Sequence, residues 1–128
     1  MMELQDIKGQ DAVISELKKR LDAKTMQGSF LFTGPAGVGK FETALAVTAA
    51  LLGTQRLDSH PDFCLLEPDE RQAIKIDAAR ILIKKMHLQA VQSKFKVCII
   101  KGCEQLTREA GNALLKLIEE TSACILLL

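Results

Sequence analysis

Ser29-Phe30-Leu31-Phe32-Thr33-Gly34-Pro35-Ala36-Gly37-Val38-Gly39-Lys40 is the stretch on which the fold turns. Its first five residues read as a short buried strand, and the run from Gly34 matches the spacing G-x-x-x-x-G-K. An almost wholly apolar helix from Lys40 to Leu52 follows. Strand, glycine turn and buried helix in that order make half of a βαβ unit. In such a turn successive backbone N–H groups point inward, the helix N-terminus adds partial positive charge, and Lys40 reaches toward phosphate oxygens. Gly34, Pro35, Ala36, Gly37, Val38, Gly39, Lys40 and Phe41 are therefore the candidate nucleotide-binding residues.

Outward from this loop, strands and helices alternate. Upstream, Gln10, Val13, Ile14, Leu17 and Leu21 at helical spacing predict an amphipathic helix over 11–23. Downstream, 62–67 reads as a second strand closed by Pro68. A helix opens at Ile76-Asp77, capped by Asp77 and ending near Leu88, with Lys84, Lys85 and His87 in its last turns. The β-branched run 96–100 is a third strand. Thr107 caps a helix whose Ala110, Ala113, Leu114, Leu117 and Ile118 keep the i, i+3, i+4, i+7, i+8 rule. A fourth apolar run covers 124–128. Alternation of this kind predicts a single α/β domain over 1–128, a parallel sheet with helices on both faces. With no closing element after the fourth strand, the sheet is expected to expose an apolar edge there, as a fragment or truncated product would.

Composition narrows the function classes. The 128 residues carry 17 basic and 16 acidic side chains, a net charge of +1, so any nucleic-acid contact must be local. Arg80, Lys84 and Lys85, on one predicted helix, are the candidate DNA-binding residues, weighed against a solvated face placed to suit the helix dipole. No stretch approaches the length of a membrane span, and the N-terminus lacks the pattern of a secretory signal. Cys64, Cys98, Cys103 and Cys124 fit no zinc spacing and lie largely in strand-like runs. They read as reduced core thiols, which suits the cytoplasm. His60 and His87 complete no metal triad, so neither zinc nor another metal is expected.

Two residues near the loop depart from what ATP hydrolysis requires. After the loop lysine a Ser or Thr normally ligates Mg²⁺; here stands Phe41. Thr43 lies about 200° further around the helix and cannot substitute. The third strand, which in P-loop proteins ends in an acidic residue that holds the metal, ends here in Lys101-Gly102. An ammonium replaces the metal's partner, and a glycine stands where a catalytic carboxylate would.

Four segments carry a family resemblance: Ser29 to Pro35, His60-Pro61-Asp62-Phe63, Ile74-Lys75-Ile76-Asp77, and Asn112-Ala113-Leu114-Leu115-Lys116-Leu117-Ile118-Glu119-Glu120. In that order they resemble the first domain of bacterial DNA polymerase III clamp-loader subunits, the delta-prime and gamma/tau family. Gly9-Gln10 resembles that family's entry near the adenine. The resemblance implies a P-loop, AAA+-like core cut after its fourth strand, without lid or collar domains. It also implies a subunit that works with other loader subunits and the sliding clamp on primed DNA. Delta-prime members need not hydrolyse ATP, in keeping with Phe41, Lys101 and Gly102, and the segment 52–59 has no room for the zinc module of gamma/tau subunits. A delta-prime-like subunit without ATPase activity is expected, binding ATP or ADP weakly and without Mg²⁺. The competing readings are a gamma/tau-like ATPase using Glu104 or another acid for the metal, and a truncated fragment that joins no loader.

Overall fold

A computed structural model describes residues 11–35, 37–120 and 122–128. The chain runs α1 (Asp11–Asp22), β1 (Gly28–Leu31), α2 (Lys40–Leu52), β2 (Phe63–Leu66), α3 (Ile76–Met86), β3 (Val97–Ile100), α4 (Arg108–Glu120) and β4 (Cys124–Leu127). All pairings among the strands are parallel, in the order β1-β4-β3-β2. The order explains the layers. From β1 the chain crosses to the far edge at β2, then steps back through β3 to β4. Right-handed crossovers that reverse direction place their helices on opposite faces. Accordingly α2 packs with α1 on one face, and α3 packs with α4 on the other.

Side-chain alternation in the central strands feeds both layers. Val97 and Ile99 of β3, with Cys124 and Leu126 of β4, join Ile14, Leu17, Ala44 and Val47 of α1 and α2. Cys98, Ile100 and Ile125 face the other way, onto Ala79, Leu82, Leu114 and Leu117. A strand apolar at every position is what burial on both faces demands. Cys64, Cys98 and Cys124 are buried free thiols within these layers. Burial pushes the Cys124 thiol up to about 12 and the Cys98 thiol well above its usual range.

Three expectations are corrected. The fourth strand is not the open edge: β4 is inserted between β1 and β3 and is paired on both sides. The edges are β1 and β2, and at the β1 edge Ser29 is exposed and Leu31 is 65% exposed. The strand expected to be buried over 29–33 is thus covered on one face only, and it spans Gly28–Leu31. Nor is Asp77 the cap of α3. Lys75 occupies the N-cap position with an extended backbone and no side-chain bond, while Asp77 sits in the first turn, where its charge still suits the dipole. The cap on α4 is as expected, with the Ala110 N–H donating to Thr107 Oγ1 at 3.2 Å. Among the described residues no helix is long and apolar enough to cross a membrane.

Candidate nucleotide site

Parallel sheets bind ligands beyond the carboxyl ends of their strands. At that end stand the loop after β1 and the Lys101-Gly102 turn after β3. Gly37 and Gly39 hold φ of +88° and +91°, left-handed values that turn the chain tightly into α2. Lys40 opens α2, and its Nζ donates to the Gly34 carbonyl at 2.8 Å. The ammonium is thus folded back across the mouth of its own loop. Beside it lies a cavity of about 420 Å³, lined by Val13 of α1, the segment from Ser29 to Thr33, Val38, Gly39, Lys40 and Thr43. A larger cavity, about 600 Å³, lies at the amino ends of β3 and β4, away from the loop. The smaller one is the candidate, because loop, helix N-terminus and lysine converge there. Ala36 and Gly9-Gln10 fall outside the described residues.

The positions that would hold a divalent metal are brought together. The Lys101 Nζ stands over the Phe41 ring, 4.1 Å from its centroid, and both side chains are half-buried. A cation at that distance from a ring face is held by the ring's quadrupole, worth about 0.5–2 kcal/mol according to exposure. Thr43 offers no rescue. It is buried on α2, and its hydroxyl is engaged in donating to the Gly39 carbonyl at 2.7 Å. Glu104 lies exposed on a short 3-10 turn, Cys103–Gln105. Phe41, Lys101 and Gly102 present a ring, an ammonium and no side chain, so this donor set does not fit Mg²⁺.

Gly102 is fixed by its surroundings. Its φ is +78°, and a Cβ placed there would lie 2.9 Å from Pro68 Cγ and 3.3 Å from Pro68 Cδ. The register explains the crowding: Leu66 pairs with Ile100, so the residues two beyond each, Pro68 and Gly102, leave adjacent strands side by side. Neither this approach nor the Lys101–Phe41 contact was visible in the sequence as such. The signal for the first was a proline and a glycine at equal distance past two strands that turn out to be neighbours.

The His60-Pro61-Asp62 segment is structural. The Asp62 N–H donates to His60 Nδ1 at 3.0 Å. The Asp62 side chain, fully buried, accepts the N–H groups of Val91, Gln92 and Ser93 at 2.7, 2.8 and 2.7 Å. Burial alone raises this carboxyl, but the three N–H bonds outweigh it and hold it below its ordinary value. Arg80, Lys84 and Lys85 are all exposed on α3, on the sheet face opposite α2. They lie away from the phosphate loop. His87 is exposed, and among the described residues no three His, Cys, Asp or Glu side chains are grouped to hold a metal.

Residues 9–128 match the family described as DNA polymerase III, delta subunit. The chain is 35% identical over 127 residues to the replication factor C small subunit of Methanothermobacter thermautotrophicus, covering 96% of this chain and 38% of that one. It is 29% identical over 132 residues to the DNA polymerase III subunit tau of Salmonella typhimurium, covering 92% and 21%. The chain thus spans well under half the length of these curated relatives. In fold it is similar to a DNA polymerase III gamma subunit-related protein of Thermotoga maritima, with a TM-score of 0.72, 24% identity, and coverage of 88% of this chain and 37% of that one. A match over nearly the whole chain, joined to this sheet and loop, makes the protein a member of the DNA polymerase III delta-subunit family, carrying a clamp-loader AAA+ domain.

Proposed function

We propose that the chain serves DNA replication as a delta-prime-like clamp-loader subunit that does not hydrolyse ATP. The observation that carries this reading is the contact between Lys101 and Phe41. Transfer of a γ-phosphoryl group relies on a metal to neutralise charge on the β and γ oxygens, and on a carboxylate or equivalent to orient water. With a ring and an ammonium at the metal positions and a glycine next to them, both contributions are missing. What remains is binding and support. Gly34 to Phe41 form a phosphate-binding loop able to take ADP or ATP, and the two helical layers present surfaces to other loader subunits and the sliding clamp in the cytoplasm. Arg80, Lys84 and Lys85, exposed together on α3, are suited to DNA phosphates.

Relatives named tau and gamma/tau favour a second reading, an ATP-hydrolysing subunit. Magnesium-dependent turnover would select it. The proposed role is tested by mixing the purified chain with the ATPase subunits of a clamp loader and with the clamp, then separating the mixture by size. Co-migration with loader subunits is expected. A chain that stays apart from all of them is the truncated fragment instead.

A further inference from the structure

We propose that Lys101 serves as a built-in cation, so that the loop binds the polyphosphate of a nucleoside di- or triphosphate without a divalent metal and in competition with it. This rests on the reading of the chain as a non-hydrolysing subunit and goes beyond it. In that reading the metal is simply lost; here its charge is replaced. The Lys101 Nζ is positioned by the Phe41 ring at 4.1 Å, and Phe41 directly follows the loop lysine. The two substituted residues therefore touch each other next to the loop lysine. Among the described residues no carboxylate stands within 4.0 Å of this ammonium. Lys40, by contrast, is provisionally satisfied by the Gly34 carbonyl, a neutral acceptor that a phosphate oxygen outcompetes.

Entry of a polyphosphate lets Lys40 exchange that carbonyl for an anionic oxygen and gives Lys101 a counter-charge while the ring still covers its other side. The loop N–H groups at the start of α2 complete the anion's contacts. A divalent cation arriving with the nucleotide meets a fixed ammonium and no oxygen ligand from residues 41, 101 or 102. Metal chelated to the phosphates lowers their charge and repels Lys101, so free nucleotide binds better than its magnesium complex.

Calorimetric titration of the purified, nucleotide-stripped chain with ADP, ATP and inorganic tripolyphosphate, in EDTA and then in excess Mg²⁺, tests this. Binding in EDTA that weakens with salt, and that Mg²⁺ weakens further, is expected. Lys101→Met keeps the stem on the ring but removes the charge, and should reduce affinity in EDTA about tenfold. Its urea midpoint, measured alongside, shows that the fold is retained. Phe41→Thr combined with Lys101→Asp should bind more tightly with Mg²⁺ than without, and Phe41→Thr alone should not. Binding of the parent that Mg²⁺ tightens or leaves unchanged, or a Lys101→Met variant with parental affinity, overturns the proposal. Absence of binding to every polyphosphate also overturns it, yet leaves the non-hydrolysing reading standing. Turnover would remove that reading.

Discussion

Restoring a carboxylate at residue 102 should damage the fold before it helps catalysis. Gly102 sits at φ +78°, ψ +51°, and an L side chain in that left-handed region costs about 1–2 kcal/mol. Any side chain also brings a Cβ to 2.9 Å from Pro68 Cγ, closer than folded proteins allow. Displacing the proline ring, which follows β2, adds an overpacking penalty of about 1–3 kcal/mol. The sum for Gly102→Ala is about 2–5 kcal/mol. Against a total stability of about 5–15 kcal/mol for a domain, that is a large fraction. Gly102→Glu carries the same Cβ and should lose as much. The chain has no Trp or Tyr, so unfolding in urea is best followed by far-UV circular dichroism. In a Pro68→Ala background the contact is relieved, and the loss should shrink to the backbone part, about 1–2 kcal/mol. A Gly102→Ala protein within about 0.5 kcal/mol of the parent, or a loss unaffected by Pro68→Ala, would show that the Pro68 contact does not restrict residue 102.

Two further outcomes follow from other parts of the fold. Asp62 is held below its ordinary value by three backbone N–H groups, so the unfolded chain binds its proton more readily than the native one. Its contribution is complete above the unfolded value of about 4 and is lost as pH falls through the lower native value. Asp62→Asn puts an amide donor against N–H donors, should cost about 3 kcal/mol at neutral pH, and should flatten the acid limb of stability against pH; an unchanged acid limb would count against it. On α3, Arg80→Ala, Lys84→Ala and Lys85→Ala should each lower by about one the slope of log affinity for primed DNA against log salt. Slopes equal to the parent's would mean a solvated face.

The loop and the helices were legible because their signals are local. G-x-x-x-x-G-K between a strand and a helix has one reading, and Thr107, Ala110, Leu114 and Leu117 spell out α4 without reference to the rest of the chain. The strand order was not legible, since nothing next to Cys124–Leu127 says that it enters between β1 and β3. The clue was there in another form: Cys124, Ile125 and Leu126 are apolar in succession and are fully buried, as an internal strand must be. The same blindness to distance applies to Ser29 and Leu31, whose exposure follows from a sheet face left uncovered among the described residues and not from their own chemistry. At the site each departure, Phe41 and Lys101, could be read alone. Their contact spans 60 positions of chain and depends on β3 and α2 meeting at one end of the sheet.

Steady-state phosphate release from ATP by the purified chain decides whether this phosphate loop has lost hydrolysis. The measurement compares Mg²⁺ with EDTA, and the parent with Lys40→Ala. Release at background in all four conditions is expected, because no residue at positions 41, 101 or 102 can ligate the metal or orient water. Turnover on the order of one per second in Mg²⁺, abolished by Lys40→Ala, would contradict the account.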